Sequence, residues 1–137
     1  MALETTLVFE TSIPIPFTCA DGTGIEKGAV LMLSDLMTVA TTTGDTNAVA
    51  GIAAEEKVAN DGKVKIAVYT GGIFRGYAGA AGATVGMALI TDTATGAANE
   101  LVVADLNSEQ IVGRALETAA DGETFLFQLN PIGLQLA

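Results

Sequence analysis

Two stretches of this chain carry the same signals in the same order, and that duplication limits the available folds more than any other feature. The first reads Gly24-x-x-x-Gly28-x-x-Leu31 and the second Gly82-x-x-x-Gly86-x-x-Leu89. Downstream, Ala50-Gly51-Ile52-Ala53-Ala54-Glu55 is matched by Val112-Gly113-Arg114-Ala115-Leu116-Glu117. Each copy then meets an Asp-Gly pair, Asp61-Gly62 or Asp121-Gly122, followed by an alternating apolar run. The offset is 58 residues at Gly28/Gly86, 62 at Gly51/Gly113 and 60 at Gly62/Gly122, a drift that small loop insertions produce. A unit of this size with one apolar face cannot bury that face alone. Two copies packed together as a barrel or sandwich are therefore expected.

Within each copy the local signals are those of strands. Short apolar runs at 29–33, 48–54, 63–69, 87–91, 100–104, 110–116 and 123–129 are separated by Gly, Asn, Asp and Thr. Lys63-Val64-Lys65-Ile66-Ala67-Val68 alternates as a half-buried strand does. Asp-Gly reads as a hairpin-type turn because glycine tolerates positive φ. No long helical period is present, and a short helix near 78–83 is opposed by Gly79 and Gly82. Residues 1–17 differ from the rest. Leu7, Phe9, Ile13, Ile15 and Phe17 fall on alternate positions with one break, and Pro14 and Pro16 lack N–H donors and force extended geometry before them. Such a segment suits an edge strand or an arm and not a central strand. The expected fold is mainly β: a small β-barrel or sandwich built from two similar strand units, with an extended N-terminal arm and at most short helices. Residues 1–17 form the arm or edge strand, and residues 18–137 a single β domain with copies at about 24–74 and 82–132.

Composition narrows the partners. At 137 residues the chain is long enough to bury a real core. Only 16% of its residues are charged, against roughly 25% in a typical soluble domain. So little charge on so small a domain points to a surface partly covered by other protein. Sixteen Asp and Glu against 6 Lys and Arg, a net charge of -10, argue against binding a phosphate backbone or an anionic membrane. Basic protein surfaces remain suitable. The N-terminus shows no basic segment followed by an apolar one, so no secretory signal is expected. The longest uncharged stretch, 76–91, is too short and too rich in glycine for a membrane span. A single cysteine, Cys19, permits no intrachain disulfide, fits a reducing cytoplasm and is expected to be a buried small hydrophobe.

Catalytic chemistry finds little to use. With no histidine, the commonest general base and metal ligand is missing, and a Ser–His–Asp or Cys–His arrangement is impossible. Ser12, Ser34 and Ser108 stand outside any Gly-x-Ser-x-Gly elbow. The glycine-rich stretch 71–82 lacks the Lys-Ser/Thr ending of a phosphate loop and the spacing of a dinucleotide loop, and reads as a tight connection between strands. Glu55 and Glu56 are adjacent, so on a strand they point to opposite faces. Asp21, Asp61 and Asp121 each precede glycine, as turn residues do. No catalytic, metal or cofactor-binding residue is assigned, no cofactor is expected, and the chain is not expected to be an enzyme.

The repeated order is a Gly-x-x-Leu strand start, a variable loop, a Gly-x-Ala-x-Glu strand, Asp-Gly and an alternating strand. It resembles the decoration, or cement, proteins of tailed-phage capsids, small Ala/Gly/Val-rich chains related in shape to lambda-type head decoration proteins. The matching stretches are 27–33, 50–55, 63–74, 84–92 and 111–129. The resemblance implies a structural protein that binds the outer surface of an expanded phage head as a homotrimer and stabilises it by clamping neighbouring subunits of the major capsid protein. It implies a place on the virion exterior after assembly in the host cytoplasm, and partners that are the major capsid protein and further copies of the chain, with no nucleic acid and no membrane. In lambda-type proteins an N-terminal arm pairs with a capsid strand, which makes Leu7, Phe9, Ile13, Ile15 and Phe17 the candidate capsid-binding residues. For Ile13 to Phe17 a packed first strand is the competing role. Gly28, Gly51, Asp61, Gly62, Gly86, Gly113, Asp121 and Gly122 are the structural turn and repeat residues. The loop 38–46 and the tail 130–137 have no counterpart in the pattern. The alternatives are another β-type virion component, such as a head–tail or tail-tube subunit, or a free β-barrel binding module.

Overall fold

The computed structural model describes residues 4–43, 47–91, 99–104 and 110–134. Its strands are β1 (Thr6–Phe9), β2 (Ile15–Thr18), β3 (Val30–Asp35), β4 (Thr38–Thr41), β5 (Val49–Ala53), β6 (Lys65–Tyr69), β7 (Gly72–Ala78), β8 (Ala88–Thr91), β9 (Glu100–Val103), β10 (Gln110–Ala115) and β11 (Thr124–Leu134). No helix occurs among the described residues. Positions 44–46 of the unmatched loop and 135–137 of the tail lie outside them.

The strands close into two five-stranded barrels of one design. Barrel 1 runs β2-β4-β3-β5-β6, and barrel 2 runs β7-β9-β8-β10-β11. In each, the first strand pairs parallel with the third and antiparallel with the fifth. The remaining pairs are antiparallel. The duplicated signals therefore encode a whole barrel twice, with β2 to β6 equivalent to β7 to β11. Details repeat as well. The isolated bridge Ile25–Lys57 recurs as Ala83–Ala119. The Glu55 carboxylate accepts the Ala67 N–H, as that of Glu117 accepts the Leu126 N–H. A side chain at Gly51 would collide with the Tyr69 carbonyl, and one at Gly113 with the Gln128 carbonyl, so both copies require glycine where the fourth strand presses on the fifth. β1 lies outside the repeat and adds to β7 as an edge strand.

Side chains alternate as half-buried strands demand: on β6, Ile66 and Val68 point inward while Lys65 is exposed. Phe17, Leu31, Val39, Ile66 and Val68 fill barrel 1. The main cluster of barrel 2 holds Phe74, Leu89, Leu101, Phe125, Phe127 and Leu129. That cluster also takes in Val30, Val49 and Ile52, which belong to barrel 1. The wall of barrel 1 is thus part of the core of barrel 2. Each such side chain is worth roughly 1.5–3 kcal/mol when fully buried.

Two strands escape sequence reading. β7 occupies the glycine-rich stretch expected to be a connection. Gly72 and Gly76 share its inward face with Phe74 and Ala78, and a Cβ at Gly76 would stand 2.8 Å from the Phe127 ring. The apolar alternation is hidden because glycine stands under the Phe127 ring at Gly76, and against the Phe74 ring and the Phe9 carbonyl at Gly72. β4 carries one large apolar residue, Val39, which is too little to announce a strand. At 78–83, where glycine opposes a helix, the chain makes a turn, with the Gly82 N–H bonded to the Gly79 carbonyl at 2.9 Å. Residues 15–17 of the expected N-terminal segment are built into barrel 1 as part of β2, and Phe17 is in its core.

Candidate interaction surface

The β3–β4 hairpin turns on Leu36 and Met37, since Asp35 pairs with Thr38. Two-residue hairpin turns favour Asn-Gly or Asp-Gly because they require positive φ. Here Met37 adopts φ 48. A large residue there costs of order 1 kcal/mol relative to glycine. Leu36 is 87% exposed and Met37 50%. The turn thus presents two exposed large apolar groups, one of them at a strained position.

The turn belongs to a larger surface. Leu33 continues the inward face of Leu31, and Ile15 that of Phe17, to the same end of barrel 1. Both are partly open to solvent, at 43% and 38%. Met37 is held beside them because its carbonyl accepts the Thr18 N–H at 2.7 Å. This end of barrel 1, its mouth, leaves Ile15, Leu33 and Met37 partly exposed, with Leu36 exposed at the hairpin tip.

A second apolar surface lies on β1, where Val8 and Phe9 are exposed. One side of β1 pairs with β7, and no described strand pairs with the other. Of the residues singled out from sequence, Phe9 and Ile13 are well exposed, Ile15 lies at the mouth, Leu7 is half-buried against the main cluster and Phe17 is buried. Phe17 is therefore withdrawn from the surface set. The turn and repeat residues keep structural positions: Gly28, Gly62, Gly86 and Gly122 all have φ between 81 and 86.

The opposite end of barrel 1 is closed by charge. Lys57 is buried, and its Nζ donates to the Asp61 Oδ1 at 2.8 Å, the Asp21 Oδ1 at 3.1 Å, and the Val58 and Asp21 carbonyls. The same carboxylate oxygens accept the Gly62 and Lys63 N–H groups, tying the Asp21 loop to the Asp61-Gly62 turn. Burial pulls the Lys57 ammonium down, but the hydrogen bonds to Asp61 and Asp21 outweigh it and hold it above its usual value. The Lys57 hydrogen bond, helped by the Lys63 N–H, holds the Asp61 carboxyl below the usual carboxylate range. Barrel 2 has Ala119 where barrel 1 has Lys57. Cys19 is buried, which pushes its thiol up and leaves it a small apolar group. Among the described residues no three His, Cys, Asp or Glu side chains converge on a metal-binding arrangement. The lysine clasp was missed in sequence. Its available signals were the i, i+4 spacing of Lys57 and Asp61 and the Asp21-Gly22 pair, each common in turns.

No protein-family model matches the chain, and no curated protein matches it. Among solved structures it is similar to the head fibre gp8.5 N base of bacteriophage phi29, with a TM-score of 0.56. The match covers 85% of this chain and 94% of that chain at 16% sequence identity. At that identity the likeness is one of fold.

Proposed function

We propose that this chain is a structural decoration protein of a tailed-phage virion, which binds the outer surface of the expanded head as a trimer and stabilises it. The observation that carries the reading is the shared fold with a phage head fibre base, to which nearly all of that base contributes. The exposed apolar groups support a life in an assembly: a net charge of -10 sits beside uncovered Phe9, Ile13, Leu36 and Met37. The role is mechanical and requires no catalytic residue. The capsid-facing element is the outer edge of β1 with Val8, Phe9 and the following Ile13. An unpaired strand edge flanked by exposed apolar side chains is equipped to add a strand from a partner.

Co-sedimentation of the purified protein with expanded heads lacking surface proteins tests this reading. The wild type is expected to pellet with the heads to saturation. Phe9→Asp with Ile13→Asp is expected to weaken binding at least tenfold, on the order of a binding hot spot, while the isolated protein melts as before. Equal binding by that variant would remove β1 from the interface, and no binding by the wild type would remove the capsid role.

A further inference from the structure

Barrel 2 shows what covers the end that barrel 1 leaves open. The duplication makes Ile15, Leu33 and Met37 equivalent to Phe74, Thr91 and Asn99. The barrel 1 residues are 38%, 43% and 50% exposed, whereas their partners in barrel 2 are 1%, 2% and 7% exposed. The fold is the same, so the difference lies in what sits over the mouth. In barrel 2 that cover is the outer wall of barrel 1: Val30, Val49 and Ile52 join its core, and the Asn99 Oδ1 accepts the Val30 N–H at 3.0 Å.

The same wall exists a second time. Val30, Val49 and Ile52 correspond to Ala88, Ile111 and Arg114 on barrel 2. There Ile111 is buried in a small outer cluster with Ile90 and Val102, against which Ala88 packs. The rest of this wall is an open groove of about 450 Å³ lined by Gly86, Ala88, Gly113, Arg114, Gln128 and Asn130. Gly28, the counterpart of Gly86, is buried under Glu4 and Thr5, whereas Gly86 is exposed with open space around it. The chain thus carries an uncovered mouth at one place and, at another, a copy of the mouth's cover that is still open at Ala88 and Arg114. Charge agrees: Arg114 stands in the groove, and Asp35 stands on the mouth's hairpin, exposed beside Leu36.

We propose that a second copy of this chain seats the Ala88–Arg114 wall of its barrel 2 over the mouth of barrel 1. The contact is head to tail and repeats between chains what the two barrels do within one. Contacts of this heterologous kind close into rings or run as filaments. The proposal deepens the oligomeric part of the reading above and rests on the duplication, not on capsid binding.

The test uses Met37→Cys and Ala88→Cys in separate full-length chains, each with Cys19→Ala, one of them tagged. These positions correspond to Asn99 and Val30, which touch within the chain. Mixing and mild oxidation are expected to give a mixed disulfide in large excess over either homodimer. Self-crosslinking of Met37→Cys at an equal rate would mean a two-fold contact and overturn the proposal, as would no mixed product at millimolar protein. Circular dichroism melts establish that each variant is folded. In sedimentation equilibrium, Met37→Asp is expected to weaken association of the otherwise wild-type chain at least tenfold with an unchanged melting midpoint. A wild type that stays monomeric at millimolar concentration would overturn the proposal and leave capsid binding, measured by co-sedimentation, unaffected.

Discussion

Barrel 1 and barrel 2 have the same strand order, the same bridge and the same glutamate holding the fifth strand, yet they finish their ends in opposite ways. Barrel 2 is aromatic inside. Phe74, Phe127 and Phe125 form a run of rings with centroids 6.0 and 5.8 Å apart, and its mouth is stoppered by the wall of barrel 1. Barrel 1 has one core phenylalanine, Phe17, a lysine clasp at one end and an apolar mouth open at the other. The two copies thus divide burial and exposure: one has its mouth covered, and the other leaves apolar residues open there. That division can be broken or sharpened by exchanging residues between equivalent places.

The largest effect is expected in the barrel 2 core. Phe127→Ala removes a ring stacked on Phe74 and should cost about 3–5 kcal/mol. Leu33→Ala, at the open mouth, should cost about 0.5 kcal/mol or less, as exposed positions do. Urea unfolding of both variants measures the contrast, and similar losses would mean that the mouth is covered within the chain. The wall comes next. Ile52→Arg gives barrel 1 the residue that barrel 2 carries at Arg114 and puts a charge into the barrel–barrel core, at a cost of about 3 kcal/mol or more. The reverse change, Arg114→Ile, faces the groove and should leave the same unfolding curve nearly unchanged.

The clasp has a pH signature. Asp61 has its carboxyl pKa lowered in the fold, so its contribution is present above the unfolded value near 3.8 and disappears as pH falls through the lowered one. Lys57 is raised, so its contribution is full below the unfolded value near 10.5 and is lost only above it. Lys57→Ala, which copies Ala119, should lower the melting midpoint across this whole range. Asp61→Asn should flatten the acid limb below about pH 4. Melting curves taken from pH 2 to pH 8 would show both, and an unchanged acid limb in Asp61→Asn would assign the sensitivity elsewhere.

The smallest effect is the most telling about purpose. Replacing Leu36-Met37 by Asn-Gly supplies the residues that a hairpin turn favours and should raise stability by about 0.5–1 kcal/mol. The same change should weaken self-association in sedimentation experiments. A loss of stability would mean that the turn's side chains pack within the chain after all.

The sequence made the repeat readable because the duplicated glycines and Asp-Gly turns sit where backbone geometry leaves no choice, as at Gly51 and Gly113 beneath facing carbonyls. Seven strands carried enough Val, Ile, Leu and Ala to announce themselves. β7 did not, since Gly72 and Gly76 leave room for neighbouring rings and thereby erase the alternation. The mouth was half legible. Ile15 stands out by alternation, whereas Leu36 and Met37 carry no local signal, and only strand pairing puts them at a hairpin tip. Which apolar residues are left uncovered depends on how the two barrels pack, and no local pattern records that packing.

The proposed place on the outside of a phage head is tested most directly by cryo-electron microscopy of expanded heads mixed with the protein. The expected result is ordered density of trimers at three-fold and quasi-three-fold positions, with the β1 edge toward the shell. Bare heads, or protein scattered without symmetry, would contradict it.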